Sequence, residues 1–301
     1  MVKIIDKLHN HPVEPYFSFE FFPPKTEAGV DNLYLRMDRM TSLQPIFVDV
    51  TWGAGGCTKD LTMSICEYTQ TYFGVDVLMH LTCTNLTVEE IKEILKAARN
   101  AGIQNILALR GDPPKGSVSW EPFPSGCLNA AELVELIRKE HGDYFGIAVA
   151  GFPEGHPNST DGYENDVKHL KEKVDAGADF ILTQFFYDSN VFLKFRDDCV
   201  NAGIKCPIIP GMMPIQSYSS FQKMTTFCKT SVPQNIWDEL YPIKDNDEEV
   251  KMYGVKLCVR MCRQLNAAGV KGFHFYTLNL EKSVTLVLND LGVQDSVATR
   301  R

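Results

Sequence analysis

Positive charge and long apolar stretches are both scarce in this sequence. Its 30 lysines and arginines face 38 aspartates and glutamates, giving a formal net charge of −8. Nucleic-acid-binding surfaces are normally basic, so we predict no nucleic-acid partner. No run reaches the roughly 18 apolar residues of a membrane helix, and the N-terminal MVKIIDKLHNHP has no signal-peptide core. We therefore predict a cytoplasmic protein without a membrane partner.

The sequence also has no CxxC pair. Its nine cysteines are odd in number and scattered, which argues against a disulfide framework and against a structural zinc site. Cys258 and Cys262 are spaced one helical turn apart, but no further ligands accompany them, so buried helix residues are the simpler interpretation. We predict a reducing compartment and no bound metal.

Signatures of nucleotide binding are incomplete. The stretch TWGAGGC, from Thr51 to Cys57, is rich in glycine, but Thr58 stands where GxGxxG requires its third glycine. No Gly-Lys-Ser/Thr of a P-loop follows it. These glycines could bring backbone N–H groups to a phosphate or could simply form a tight turn. His156, on a predicted loop, likewise fits either a ligand contact or a surface position.

No linker or low-complexity tract divides the chain, so we predict a single domain over residues 1–301. Short β-rich runs recur, and most of the gaps between them have helical periodicity. The runs are 16–22, 46–52, 75–83, 105–112, 146–152, 180–188, 206–214 and 272–279. Strand–helix alternation predicts a parallel sheet with right-handed crossovers. Eight units favour a closed (β/α)8 TIM barrel, with an open doubly wound sheet as the alternative.

Helical periodicity is clearest over residues 88–102, 167–179 and 191–203. The last two segments end in Ala-Gly before a strand, which is typical of a helix C-cap. One connection is long, residues 215–271, between strands seven and eight. We predict two helices in it, the second with the acidic start DNDEEV that suits a helix N-terminus.

Within each predicted strand the polar residues occupy every second position, and the positions between them are mostly apolar, as Phe17 and Phe19 are. The polar set is Ser18 and Glu20, Asp49 and Thr51, His80 and Thr82, Arg110 and Asp112, Gln184, and His274 and Tyr276. Because barrel strands alternate between the helices and the interior, the polar set is predicted to face the interior. It concentrates towards the carboxyl ends of the strands, where such barrels carry their active sites.

Two interpretations of these polar residues compete. Asp49 and His274 lie nearer mid-strand and fit a polar plug of mutually hydrogen-bonded side chains. Glu20, Asp112 and Gln184 lie at strand ends before loops that contain proline or glycine, which favours function. A glutamate in apolar surroundings has a raised pKa, so Glu20 can hold its proton near neutral pH and act as a general acid. Asp112 follows Arg110, so it can stay ionised and stabilise positive charge.

Eight stretches, taken together and in order, resemble the methylenetetrahydrofolate reductase family. They are FSFEFFPPKT, VDVTWGAGG, MHLTCTN, NILALRGDPP, GFPEGHP, KVDAGADFILTQFFYD, IIPGMMPI and FHFYTLN. The resemblance covers about residues 16–292 and implies the same barrel fold. It also implies FAD-dependent reduction of 5,10-methylenetetrahydrofolate to 5-methyltetrahydrofolate with NADH or NADPH, in ping-pong fashion through flavin N5. Similar enzymes assemble as dimers or tetramers, so a homo-oligomer is expected.

The resemblance assigns roles position by position. Glu20 corresponds to the general acid that opens the folate ring to a 5-iminium cation, Asp112 would stabilise that cation, and Gln184 would bind the pterin. Tyr276 and Met224 correspond to substrate contacts, although bacterial relatives have phenylalanine at the position of Met224. The expected FAD contacts are Thr51, Trp52, His80, Leu109, Arg110, Gly111, Asp112, Ala150, Phe152, His156, Asp166, His169 and Lys173.

Some features depart from the family or leave rivals open. Glu172 and Leu280 stand where bacterial members have arginine, which puts one phosphate contact and one polar contact in doubt. Eukaryotic relatives carry a C-terminal regulatory domain that binds S-adenosylmethionine, and we expect none before Arg301. A flavin-free lyase or aldolase is one rival, but no predicted strand contains the lysine that a Schiff base needs. A non-catalytic folate-binding barrel is the other.

Overall fold

The computed structural model describes residues 1–10, 15–53, 58–111 and 125–293. Eight parallel strands, hydrogen-bonded in chain order, close into a barrel in which β1 pairs with β8. The strands are β1 Tyr16–Phe21, β2 Val48–Val50, β3 Val77–Thr82, β4 Asn105–Leu109, β5 Gly146–Gly151, β6 Phe180–Phe185, β7 Ile208–Met212 and β8 Gly272–Tyr276. The predicted TIM barrel is confirmed, and the pairing of β1 with β8 excludes the open sheet.

Helices alternate with these strands along the chain. They are α1 Ile4–Asn10, α2 Glu27–Thr41, α3 Lys59–Tyr68, α4 Val88–Asn100, α5 Ala130–His141, α6 Tyr163–Asp175, α7 Ser189–Asn201, α8 Tyr218–Cys228, α9 Gln234–Leu240, α10 Asp247–Ala267 and α11 Lys282–Asp290. As the sequence predicts, α6 and α7 are followed by glycines with positive φ, 118° at Gly177 and 84° at Gly203. Across the described ranges, none of the helices has both the length and the apolar composition of a membrane span.

The long connection between β7 and β8 differs from the prediction of two helices. It contains three α-helices, α8, α9 and α10, with a short 3-10 turn, Tyr241–Ile243, between the last two. The helix missed from the sequence is α9, which has seven residues and follows Pro233. Two turns of helix are too short to establish an amphipathic period, and α9 is held by burial of Ile236 and Leu240 instead.

The barrel interior is divided along its axis. Its N-terminal half is apolar and includes the buried side chains of Phe47, Leu78 and Phe180, with Ile4 of α1 in the same cluster. Further along the same strand faces come polar side chains, so that Phe47 is followed by Asp49 and Leu78 by His80. The apolar half supplies a packed base, and the polar half faces the carboxyl ends of the strands.

Candidate active site

Glu20 lies at the end of β1, in register with Asp49 on β2 and Tyr276 on β8. Its neighbours on the other strand face, Phe19 and Phe21, are fully buried against the helices, which aims Glu20 into the barrel. The Glu20 side chain is 22% exposed, and its Oε2 lies 3.9 Å from His80 Nε2. Glu20 is therefore open to a ligand at the barrel mouth while its carboxyl is surrounded largely by protein.

Beneath Glu20 lies a chain of buried polar contacts. His80 Nε2 lies 2.9 Å from Asp49 Oδ2, at hydrogen-bonding distance. His274 Nε2 lies 3.4 Å from the same Asp49 oxygen, and His274 Nδ1 shares a 2.8 Å hydrogen bond with Ser18 Oγ. The described side chains thus confirm that the alternating polar residues face one interior. The plug considered from the sequence is only partly hydrogen-bonded, because Asp49 bonds to His80 and His274 to Ser18, while Asp49 Oδ1 and His274 Nε2 have no hydrogen-bond partner among the described residues.

Burial controls the proton equilibria in this chain of contacts. It raises the pKa of Glu20 to about 8, with repulsion from Asp49 adding to the shift and His80 opposing it. Burial also raises the pKa of Asp49 well above its ordinary value. It lowers the pKa of His80, and it lowers that of His274 to about 3, so both imidazoles are neutral at neutral pH. Each of these shifts favours the neutral form of its group, because burial removes the water that would solvate a charge there.

Three of these side chains are close enough together to coordinate one metal ion. Glu20, Asp49 and His80 each offer a ligand atom within 4.8 Å of the others, and they are the one such group within the described part of the chain. Asp49 and His80 are already joined to each other by a hydrogen bond. We interpret the cluster as proton-sharing rather than metal-binding and do not assign these residues as ligands.

Tyr276, at the end of β8, and Gln184, at the end of β6, border the mouth on the other side of β1 from Asp49. The hydroxyl of Tyr276 donates a 2.7 Å hydrogen bond to the carbonyl of Thr183 on β6. Gln184 lies in a register shift between β6 and β7, and its Oε1 accepts from the N–H of Phe185. Gly211 on β7 makes this packing possible, because a Cβ there would approach Tyr276 Cε2 to 2.5 Å. Among the described residues, no hydrogen bond engages the amide nitrogen of Gln184.

A turn after β8 holds the end of β1. The Asn279 side chain accepts from the Phe22 N–H at 2.9 Å and donates to the Phe22 carbonyl at 2.8 Å, as a paired strand would. Thr277 Oγ1 donates to the carbonyl of Glu20 at 2.6 Å. Leu278 and Asn279 both have left-handed backbone conformations, with φ of 52° and 56°. Two consecutive residues of this kind are uncommon outside glycine and indicate a constrained, functional turn.

A cavity of about 570 Å³ opens at the carboxyl ends of β3 to β5. This volume lies within the range of small-molecule and cofactor sites. Ten of the predicted FAD contacts line it: Trp52, Leu109, Arg110, Gly111, Ala150, Phe152, His156, Asp166, His169 and Lys173. Gly111 has φ of 93°, and a Cβ there would lie 2.8 Å from that of Thr82, so only glycine leaves this wall open.

The cavity lining carries charged groups of both signs, with Arg110 and Lys173 as cations and Asp161, Asp166 and Glu172 as carboxylates. Lys173 donates to the carbonyl of Ala150 at 2.6 Å, and burial lowers its pKa to about 8, with Asp166 opposing the shift. Asp166 also accepts from the backbone N–H of His156 at 2.8 Å and so fixes the loop after β5. Arg110 adds a second cation to the lining. Cationic side chains beside aromatic and small residues fit a flavin nucleotide with its phosphates.

Two buried polar atoms in the cavity wall point to a ligand. Trp52 Nε1 and Thr82 Oγ1 have no hydrogen-bond partner among the residues described. Both side chains line the cavity. Buried donors and acceptors are nearly always satisfied, so these two atoms are well placed to bond to a bound molecule. The residues present therefore fit the predicted cofactor.

Other predicted site residues lie outside this cavity. His80 belongs to the buried chain beneath Glu20, and Thr51 accepts at its carbonyl from Thr62 Oγ1. Met224 is partly buried on α8 and packs against the core. Asp112 and residues 54–57 of the glycine-rich stretch lie outside the described residues. The assigned roles of all these residues stay predictions.

The sequence analysis missed part of the cavity lining. Asn129, Ala130 and Ala131, where α5 begins, line it, and so do residues 158–161 in the loop before α6. The Asn129 side chain accepts from the N–H groups of Ala131 and Glu132 as an N-cap. An asparagine before a helical segment was a readable signal for the cap, but no local pattern places that helix start against the cavity.

Comparison with known proteins identifies the relatives of this chain. The sequence profile of the family described as "Methylenetetrahydrofolate reductase" matches residues 5–292. The chain is 51% identical to "Probable methylenetetrahydrofolate reductase (NADH)" of Oryza sativa subsp. japonica, over 99% of this chain and 52% of the rice protein. It is 49% identical to "Methylenetetrahydrofolate reductase (NADH) 1" of Arabidopsis thaliana, over 98% of this chain and 51% of that protein. The chain thus spans about half the length of these curated relatives.

A bacterial relative and a solved structure match over more of their own length. The chain is 40% identical to "5,10-methylenetetrahydrofolate reductase" of Pectobacterium carotovorum subsp. carotovorum, over 93% of this chain and 91% of that protein. One solved structure is described as "Uncharacterized protein from Clostridium thermocellum binds two copies of 5-methyl-5,6,7,8-tetrahydrofolic acid". It matches with a TM-score of 0.66 and 15% identity over 97% of each chain, a likeness that speaks for the fold.

Proposed function

Because the chain belongs to the methylenetetrahydrofolate reductase family, we propose that it reduces 5,10-methylenetetrahydrofolate to 5-methyltetrahydrofolate, with FAD as cofactor and NADH or NADPH as reductant. One observation carries this proposal beyond the family match. A glutamate that holds its proton near neutral pH lies at the same end of the barrel as a cavity whose lining includes two cations, Arg110 and Lys173, and two unpaired polar atoms. The reaction needs both an acid and a redox cofactor at one mouth.

Glu20 is the proposed general acid. Its pKa of about 8 leaves the carboxyl protonated at neutral pH, and its partial exposure gives the substrate access to that proton. Delivery of the proton to N10 of the folate opens the five-membered ring and leaves a 5-iminium cation. An acid whose pKa lies near the working pH is both protonated and able to give up its proton.

The remaining residues of the mouth would bind and orient the substrate. Gln184 can donate its amide to the pterin, and Tyr276 is held in place by its hydrogen bond to Thr183. Met224 is assigned a contact with the folate by position alone. Asp112 is assigned the stabilisation of the cation on the same ground.

The cavity beside Glu20 is the proposed cofactor site. Arg110 and Lys173 would hold phosphate, Trp52 and Thr82 offer unpaired polar atoms, and Gly111 leaves the wall open. Bound FAD would supply the redox chemistry, accepting a hydride from NADH or NADPH and passing it to the folate carbon. Since reductant and folate would occupy one mouth in turn, we expect ping-pong kinetics. We also infer a cytoplasmic homo-oligomer.

Replacing Glu20 with glutamine tests the function. The holoenzyme variant should still be reduced by NADH or NADPH, seen as bleaching of flavin absorbance, but should fail to be reoxidised by methylenetetrahydrofolate. The matched control is Glu93→Gln, on the exposed face of α4, which should behave as wild type. Normal folate turnover by Glu20→Gln would refute the acid assignment. A protein that stays colourless after incubation with FAD would refute the function and favour a flavin-free or non-catalytic barrel.

A further inference from the structure

Asp49 occupies an unusual position for an aspartate. It lies in the middle of β2 with no exposed surface, and its Oδ1 atom has no hydrogen-bond partner within the described ranges. Its only ion-pair contacts in that part of the chain are to two histidines, His80 and His274, and none is to lysine or arginine. Burying a carboxyl group without a permanent cation costs free energy of folding. The steps proposed above assign no role to Asp49.

The geometry connects Asp49 to Glu20 through one imidazole. His80 Nε2 lies 2.9 Å from Asp49 Oδ2 and 3.9 Å from Glu20 Oε2. One ring nitrogen can engage only one of the two carboxyl groups well, and Asp49 is the one within hydrogen-bonding distance. Asp49 and Glu20 are also register partners on adjacent strands, so a negative charge on one faces the other.

We propose that Asp49 is a positioning residue: by engaging His80 and placing a carboxylate opposite Glu20, it keeps the transferable proton on Glu20 between turnovers. This inference rests on the proposed role of Glu20 as the acid. Without Asp49, His80 would be free to donate to Glu20 and stabilise its ionised form, and the facing charge would be gone. Glu20 would then lose its proton to solvent at a lower pH.

Other titratable groups lie near Glu20 and Asp49, but none of them brings a negative charge to Glu20. On β8, Tyr276 donates its hydroxyl to Thr183, and burial and the charge of Glu20 raise its pKa, so it stays neutral. His274, on the same strand, is neutral because burial lowers its pKa. On α3, burial raises the pKa of the Cys66 thiol, and Asp49 adds to that shift. Among the described residues, Asp49 is the neighbour that can bring a negative charge to Glu20 within the barrel.

Asp49→Asn is the test, because asparagine keeps the shape and the ability to accept from His80 but removes the charge. The measurement is the rate at which methylenetetrahydrofolate reoxidises the reduced holoenzyme, followed over a range of pH by stopped-flow absorbance. In the wild type this rate should fall as pH rises through about 8, where Glu20 ionises. In Asp49→Asn the fall should move to lower pH by roughly one unit or more, the size expected for loss of a nearby like charge. Reduction by NADH or NADPH should keep its own pH dependence.

Asp76→Asn is the matched control. Asp76 is also buried, but it lies before β3 at the opposite end of the barrel, where it pairs with Lys7. This variant should lose stability without moving the pH at which the folate rate falls. If Asp49→Asn leaves that pH where the wild type has it, the positioning role is refuted while the proposed function stands. If Glu20→Gln turns over folate normally, the acid role of Glu20 fails and this inference fails with it, whereas a protein that stays colourless after incubation with FAD would refute the proposed function itself.

A second readout does not depend on turnover. The infrared difference spectrum between wild type and Glu20→Gln holoenzyme should show the carbonyl band of a protonated carboxyl near neutral pH. The same difference spectrum is then recorded in an Asp49→Ser background, a second variant without the charge in case asparagine is not tolerated at this position. There the band should disappear at a lower pH than it does when Asp49 is present. A band that titrates identically with and without Asp49 would overturn the inference.

Discussion

Glu20→Gln is expected to stabilise the folded chain, and the gain should grow with pH. Burial raises the pKa of Glu20 from 4.5 to about 8 on folding, so the folded state binds this proton more tightly than the unfolded state does. Between these two values the unfolded chain is ionised there while the folded chain is not, and rising pH therefore favours unfolding. Glutamine does not titrate and escapes this penalty.

The size of the effect follows from the shift. Each unit of pKa difference corresponds to about 1.4 kcal/mol, so the penalty is about 3 kcal/mol at pH 7 and approaches about 5 kcal/mol above pH 8. It should shrink to about 1 kcal/mol near pH 5 and vanish below the unfolded pKa. These values are upper estimates, since the Glu20 side chain is 22% exposed at the barrel mouth. The direction does not depend on that.

Urea unfolding followed by far-UV circular dichroism measures this difference. Wild type, Glu20→Gln and the exposed control Glu93→Gln would be compared at several pH values, with flavin and protein concentrations fixed. The free energy of unfolding of Glu20→Gln should exceed that of the wild type increasingly from pH 5 to 8, while Glu93→Gln should follow the wild type. A stability difference that is the same at every pH would refute the reasoning, because it would show that Glu20 titrates alike in both states.

Three further changes test the surroundings of the site. Lys173→Met keeps the length of the side chain but removes its buried charge, and should weaken FAD binding roughly tenfold or more. Quenching of flavin fluorescence measures this affinity. An unchanged affinity would contradict the assignment of Lys173 to the phosphate. Asn279→Ala removes both hydrogen bonds to the Phe22 backbone and should lower the free energy of unfolding by about 1–3 kcal/mol. If the variant and the wild type unfold at the same urea midpoint, the turn does not constrain the end of β1. Gly211→Ala brings a Cβ against both the carbonyl of Thr183 and the ring of Tyr276 that hydrogen-bonds to it. It should raise KM for methylenetetrahydrofolate and destabilise the fold by about 1–3 kcal/mol. An unchanged KM would separate this pair from substrate binding.

Local patterns were enough for much of the architecture. The alternation of Phe19 with Ser18 and Glu20 depends only on the two-residue period of a strand, so it shows which side chains share the barrel interior. The repeated succession of strand and helix likewise predicts a parallel closed sheet, and Ala-Gly at 202–203 marks the end of α7. These features could be read from the sequence because each is set by residues near one another in the chain.

Contacts between distant segments decided the rest. Asp49 and His80 are separated by 31 residues, and the pairing of β2 with β3 brings them to hydrogen-bonding distance. The raised pKa of Glu20 was predicted in direction from its aromatic neighbours, but the contributions of Asp49 and His80 come from two other strands, β2 and β3. Asn279 reaches Phe22 across 257 residues because barrel closure pairs β8 with β1. The short period of a strand determined which side chains turn inward, whereas their partners, and therefore their proton affinities, were decided by the pairing of strands distant in sequence and by the closure of the barrel.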